Sequence, residues 1–268
     1  MGIILRFSFW INMDINTKVV ILVIIIGKIT MANRKEVFYF KQFAVKHSKS
    51  AMKVGIDGIL LGAWCDIDKN KVILDVGTGT GLIALMISQR NNKALISAIE
   101  PDRDSYVEAN VNFNNSPWKS QIVLKNQSLQ EFAKESWTKF DHIVCNPPFF
   151  LDGQKSNENR KAKARHAIDL TFEDLLSCSK SLLVKNGKLS IILPPNEGQK
   201  LIDKAKKMNF YVQRICEVFT KNKVERMLIS FSLIDDLPKS KSLLNIYTPG
   251  GDYTQEYINL VKDFYLKM

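Results

Sequence analysis

Ile73-Leu74-Asp75-Val76-Gly77-Thr78-Gly79-Thr80-Gly81 passes from apolar residues into three glycines at alternate positions, and this constrains the chain more than any other stretch. The near-continuous Val/Ile/Leu content of 72–76 is what a strand buried on both faces requires. The glycines then permit a sharp turn with φ > 0 and close backbone approach to a ligand. Residues 82–89 resume with helical spacing. Strand, turn and helix in that order make a cradle at the carboxyl end of a strand, where open α/β sheets hold their ligands. The spacing is G-x-G-x-G rather than the G-x-G-x-x-G of dinucleotide sites, and Asp75 stands two residues before the first glycine. An acid there favours a ligand with a cationic amine over one with a pyrophosphate. A tight turn with no ligand is the alternative that this stretch leaves open by itself.

The rest of the chain continues the alternation. Strands are expected at 94–99, 121–124, 140–145 and 189–193, with helices at 104–113, around 129–132, at 171–184 and at 197–208. That order calls for a parallel sheet with right-handed crossovers. The segments 212–219 and 227–233 flank a short charged turn and should pair antiparallel. Asp57 reads as the N-cap of a short helix with Leu60, Leu61 and Trp64 on its apolar face, and Thr171 as an N-cap with Asp174 at N3. In the tail, a Pro-Gly-Gly turn precedes a helix with Tyr257, Leu260, Val261 and Phe264 on one face.

The first thirty residues are unlike the remainder. Their apolar run, 19–26, is too short to cross a bilayer, which takes about twenty residues, and no small-residue cleavage site follows it. Met31-Ala32-Asn33-Arg34 reads as a native start, so 1–30 is expected to be an unpacked extension from an upstream start choice and 31–268 one domain. The net charge of +11 points to a polyanionic partner such as nucleic acid. Residues 1–30 hold only Arg6, Lys18 and Lys28 against Asp14, so the excess survives their removal. Cys65, Cys145, Cys178 and Cys216 are widely spaced, which disfavours structural zinc or a disulfide framework and suits a reducing cytoplasm. His47 and His166 lie in basic segments, His142 reads as structural, and no pair has metal-ligand spacing.

Two basic segments are candidate RNA contacts. From 34 to 53, six Lys/Arg residues including Lys41 and Lys53 interleave with Phe38, Tyr39, Phe40 and Phe43. Cations that track phosphates and rings that stack on unpaired bases are the two parts of single-strand binding; a lysine-protected edge hairpin is the alternative. Residues 152–169 carry Lys155, Arg160, Lys161, Lys163 and Arg165, either as a solvated face or as a substrate loop at the ligand end of the sheet.

Cys145-Asn146-Pro147-Pro148-Phe149-Phe150 follows the strand at 140–145. An exocyclic amine on an aromatic ring is a poor nucleophile because its lone pair is delocalised. The Asn146 side-chain oxygen and the Pro147 carbonyl can accept both N–H groups and localise that pair, with the prolines stiffening the corner and Phe149 stacking on the base. Glu100, nineteen residues after Gly81, ends the second strand where an acid can accept the ribose hydroxyls of a nucleoside cofactor.

Asp75-x-Gly77-x-Gly79-x-Gly81 with Asn146-Pro147-Pro148-Phe149 resembles the class I S-adenosylmethionine-dependent methyltransferases that act on amino nitrogens. More closely, Phe40-Lys41-Gln42-Phe43, Met52-Lys53-Val54-Gly55-Ile56-Asp57, Leu60-Leu61-Gly62-Ala63-Trp64, Asn146-Pro147-Pro148-Phe149-Phe150 and Ala164-Arg165-His166 are similar to the bacterial tRNA1(Val) (adenine(37)-N6)-methyltransferases. The resemblance implies an α/β Rossmann-like fold with a doubly wound, mostly parallel seven-stranded sheet and an antiparallel strand near one edge. It implies S-adenosylmethionine as cofactor and tRNA as partner, in a cytoplasmic, metal-free monomer off the membrane. The catalytic candidates are then Asn146, Pro147, Pro148 and Phe149. The cofactor candidates are Lys53, Asp57, Asp75, Gly77, Gly79, Gly81, Glu100, Gln127, Ser128 and Asn146, with Asp75 near the cofactor amine and Gln127 or Ser128 on its adenine. The RNA candidates are Lys41, Phe43, Lys161, Lys163, Arg165 and His166. Ile56 stands where the family usually has Thr, so one hydroxyl contact is missing from that edge. An amino-methyltransferase acting on protein glutamine or DNA adenine, and an inactive RNA-binding protein, are the competing readings.

Overall fold

The computed structural model describes residues 36–48, 53–69, 71–147, 170–235 and 238–268. The expected extension 1–30 and the candidates Pro148, Phe149, Lys161, Lys163, Arg165 and His166 lie outside the described residues.

A hairpin of β1 (Val37–Tyr39) and β2 (Ala44–Lys46) precedes the main sheet. That sheet comprises β3 (Val72–Val76), β4 (Leu95–Ile99), β5 (Ile122–Lys125), β6 (Phe140–Cys145), β7 (Leu183–Leu193), β8 (Tyr211–Thr220), β9 (Lys223–Ser232) and β10 (Ser240–Asn245). Their order is β10-β8-β9-β7-β6-β3-β4-β5, eight strands where seven were expected. Strand β9 runs antiparallel to both β7 and β8. The eighth strand, β10, lies parallel to β8 at the edge. Its Ser-Lys-Ser-Leu-Leu-Asn sequence has no apolar alternation, and only Leu244 is buried, which is why it does not read as a strand. A short, lysine-bearing edge also resists pairing with another chain.

From β3 the chain winds outward through β4 to β5, then returns to place β6 on the other side of β3. The carboxyl ends of β3 and β6 therefore flank the switch point, where open α/β sheets bind ligands.

Helices cover both faces. On one lie α1 (Ile56–Trp64), α2 (Leu82–Arg90), α3 (Arg103–Asn114) and α7 (Gln255–Val261) with the hairpin; on the other lie α4 (Leu129–Glu135), α5 (Phe172–Leu182) and α6 (Pro195–Lys207). Along β3 the side chains alternate between the two cores: Ile73 joins the first, Leu74 and Val76 the second. Each such side chain, fully buried, contributes about 1.5–3 kcal/mol, so both faces hold the strand end in place. The tail helix is shorter than its expected apolar face, but Tyr257, Val261 and Phe264 are buried as the spacing requires.

Two expected caps separate. Thr171 accepts the Asp174 N–H and caps α5. Asp57 is not a cap: α1 starts at Ile56 with Gly55 as its N-cap, and Asp57 lies inside the first turn. Among the described residues no helix is long and apolar enough to cross a membrane, and no group of three or more His, Cys, Asp or Glu is arranged to hold a metal.

Candidate active site

Gly77, Gly79 and Gly81 all have positive φ, at 65°, 57° and 85°. Their reasons differ. A Cβ built on Gly77 or Gly79 meets nothing within 4 Å, so these two border an open hollow. A Cβ on Gly81 would lie 2.4 Å from Phe113 Cε1, so Gly81, the N-cap of α2, is glycine for packing as well as for conformation.

The loop is held from below by two buried acids. Asp75 Oδ2 accepts the Thr78 hydroxyl at 2.6 Å and the Ala84 N–H at 3.2 Å, tying β3 to the first turn of α2. Glu100 Oε2 accepts the Gly79 N–H at 2.8 Å and Oε1 the Asp102 N–H at 2.9 Å. A carboxylate has about four lone-pair sites, so Glu100 can still accept from a ligand. Burial pushes the Asp75 carboxyl up to about 7, against the pull of its Thr78 and Ala84 hydrogen bonds and with a further push from the Glu100 charge. Burial also raises Glu100. Two acids in one water-poor corner make it favourable for a cation to settle there. The positive charges of S-adenosylmethionine suit this corner, and the hollow before Gly77 and Gly79 leaves room for backbone contact.

The opposing wall comes from β6. Val76 pairs with Cys145, so Gly77 and Asn146 are the next residues on two adjacent strands, whose backbones run about 4.8 Å apart. Among the described residues Asn146 Oδ1 is buried with no hydrogen-bond partner, and Pro147, next in the chain, is buried too. An unpaired buried carbonyl costs about 1–3 kcal/mol, and a donor arriving from a ligand would offset that cost. Asp57 Oδ1, Asp75 Oδ1 and Gln127 Oε1 are buried acceptors in the same condition. Burial keeps the neighbouring Cys145 a neutral thiol, which removes it as a nucleophile at neutral pH.

The remaining cofactor candidates divide. Asp57 is one residue from Gly58, whose built Cβ lies 3.0 Å from Leu82 Cδ2 at the start of α2. Its Oδ2 accepts Arg226 Nε at 2.8 Å. Gln127 donates to Glu135 at 2.7 Å while its oxygen stays unpaired, which suits an acceptor for a purine amine. Ser128 is a correction: it is the N-cap of α4, in a capping box with Glu131, and its hydroxyl both donates to Glu131 Oε2 and accepts the Glu131 N–H. That side chain serves the helix rather than an adenine. Lys53 is exposed at the chain's entry to α1.

Phe43 is a second correction. It is 7% exposed, stacks on Phe40 at 4.5 Å and meets Trp118 edge-on, so it belongs to the core and cannot stack on a base. Tyr39, 56% exposed, is the free ring of the hairpin. Lys41 is exposed, with its ammonium on the Lys262 carbonyl. His142 is structural as expected: it is fully buried on Ser190 Oγ at 2.8 Å, and burial draws its pKa down to about 4.

Two further residues hold the site's surroundings together: Arg226, on the charged stretch before 227–233, and Asn112, inside α3. Arg226 has no local signal, because its partner Asp57 is 169 positions away. Asn112 does have one, as a polar residue three places after Ala109 on the inward face of α3.

A sheet wound about this switch point, with a glycine loop after β3 and an Asn-Pro corner after the adjacent β6, has the architecture of a methyltransferase of the Rossmann-like class. The family model for the methyltransferase small domain matches residues 50–224. The same architecture occurs in the crystal structure of a predicted O-methyltransferase from Agrobacterium tumefaciens (TM-score 0.62, 19% identity, 77% of this chain and 96% of that one). The chain belongs to the tRNA1(Val) (adenine(37)-N6)-methyltransferase family. It is 42% identical over 234 residues to the Flavobacterium psychrophilum member, covering 86% of this chain and 100% of that one. To the Pasteurella multocida member it is 41% identical over 239 residues, covering 88% and 99%.

Proposed function

We propose that the protein transfers a methyl group from S-adenosylmethionine to N6 of adenine 37, beside the anticodon of tRNA(Val). The observation that carries this reading is the unpaired Asn146 oxygen one residue past the β3–β6 pairing, beside the hollow fronted by Gly77 and Gly79. The family name supports the substrate.

When bound, S-adenosylmethionine supplies an activated sulfonium methyl. Gly77 and Gly79 would give it backbone contact, Glu100 would accept from its ribose, and Asp75 and Glu100 together would provide the negative field for its charged amine and sulfonium. Asn146 Oδ1 and the Pro147 carbonyl accept the two N–H groups of the adenine amine. This draws the lone pair out of the ring and onto nitrogen, where it can attack in line. As the new N–C bond forms and the bond from the methyl to sulfur breaks, its electron pair returning to sulfur, positive charge grows on that nitrogen, and the same two oxygens stabilise it until the proton passes to water. Pro147 fixes φ at about −65°, so the acceptors hold their places without reorganising. Most of the acceleration is positioning.

On the RNA side we assign phosphate contacts to Lys41, with Lys161, Lys163, Arg165 and His166 as further candidates, and assign the stacking face to Phe149. Residues 31–268 would form one catalytic domain.

The test is to incubate the purified protein with methyl-labelled S-adenosylmethionine and tRNA(Val) transcript, then digest the RNA for nucleoside mass spectrometry. Label in N6-methyladenosine from the anticodon-loop fragment is expected. Label absent from that fragment, or recovered in protein glutamine or DNA adenine instead, overturns the reading.

A further inference from the structure

Asn112 and Glu108 stand one turn apart on α3, both buried. The Asn112 amide is wholly engaged with backbone. Its Oδ1 accepts the Lys46 N–H at 2.8 Å, while Nδ2 donates to the Lys46 carbonyl at 2.9 Å and to the Thr80 carbonyl at 2.8 Å. The side chain thus pairs with the outer edge of β2 as a neighbouring strand would, and with its second hydrogen holds the glycine loop between Gly79 and Gly81. One turn earlier, Glu108 Oε1 accepts both the N–H and the hydroxyl of Ser48, at 2.6 and 3.0 Å.

Two side chains on one helix therefore fasten the hairpin, and one of them also fastens the loop. No slack is available, because each hydrogen of the amide already has its acceptor. Moving β2 away from α3 breaks buried hydrogen bonds or drags the Thr80 carbonyl with it. The hairpin carries Tyr39, Lys41 and Lys46 on its exposed side, whereas the loop fronts the cofactor hollow.

We propose that Asn112, supported by Glu108, is a positioning residue that couples the hairpin to the cofactor loop, so that RNA held on the hairpin tightens cofactor binding. The reverse holds by linkage, with the same factor. This rests on the tRNA reading above for the identity of the hairpin's ligand.

The experiment uses the full chain, S-adenosylhomocysteine as a non-reacting probe, and the anticodon stem-loop of tRNA(Val). Calorimetry gives the Kd of the probe with and without RNA, for wild type and for Asn112→Asp, which keeps the volume but has no hydrogen to donate. In wild type the RNA should lower Kd by about fivefold or more. In Asn112→Asp the ratio should fall to about one, while each ligand still binds alone. A ratio of one in wild type, or an unchanged ratio in the variant, overturns the proposal. Should Asn112→Asp lose its cooperative melt, Glu108→Gln decides: a ratio reduced by half or more supports the coupling, and an unchanged one overturns it. RNA that fails to bind wild type overturns both this and the tRNA reading. RNA that is methylated normally with a ratio of one overturns the coupling alone.

Discussion

The adjacent ends of β3 and β6 are built on opposite plans. After β3 the backbone is gathered in: Thr78 returns to Asp75, Gly79 to Glu100, and the Thr78 N–H to the Ile99 carbonyl at 3.0 Å. After β6 the Asn146 side-chain oxygen has no partner among the described residues, and the next residue, Pro147, is buried. At the first end the loop backbone is already tied down by Asp75 Oδ2 and Glu100, although Asp75 Oδ1 has no partner among the described residues. The second keeps a buried acceptor that has no partner among the described residues. Cofactor affinity should therefore depend on the β3 side and chemistry on the β6 side.

The largest expected effect breaks the β6 end alone. Asn146→Ala should lower kcat by about 10²- to 10³-fold while the Kd of S-adenosylhomocysteine changes by no more than about twofold; a matching loss of cofactor affinity would merge the two ends into one.

Within the β3 end, the glycines should then part company. Gly81→Ala combines left-handed strain with overlap on Phe113, a loss of about 2–4 kcal/mol in unfolding free energy seen by denaturant titration. Gly79→Ala faces open space and should cost only about 1–2 kcal/mol of stability, yet weaken the cofactor by about tenfold or more because its methyl enters the hollow. Equal stability losses would contradict the division of roles.

The smallest effect is a pH slope. A cation beside Asp75 favours its charged form, so cofactor affinity should rise by about threefold across the pH unit centred on about 7 and level off above it. In the ligand-free protein the sign reverses. The folded state keeps the Asp75 proton up to about 7 while the unfolded chain releases it near 3.8, so this group's contribution to stability is lost as pH rises between those values. Asp75→Asn should flatten both slopes, as read by calorimetry and by melting across pH; a slope unchanged in the variant assigns it elsewhere.

Much of this was legible beforehand. The strand before Gly77, the helix after Gly81, the Thr171 cap and the apolar face of the tail helix all follow from local spacing and turn chemistry. Where reading failed, two local meanings competed. Asp57 has the chemistry of a cap, yet α1 begins a residue before it and an arginine from β9 holds it. Ser128 suits a ligand as well as a helix start, and the helix takes it. Phe43 sits among lysines, and nothing nearby reveals that Phe40 and Trp118 enclose it. Strand β10 is polar because an edge needs little apolar surface.

By itself the sequence determined which segments extend, which coil and where the chain turns sharply, since these depend on neighbours within a few positions. Only the tertiary structure decided which polar atoms would be satisfied and which left waiting. Asn146 Oδ1 is buried without a partner among the described residues, and Asn112 is fully paired because a strand 66 positions away passes beside it. Hydrogen bonds between distant residues leave no periodicity in a chain, and buried polar groups are costly enough that their pairing is settled only when the whole fold closes.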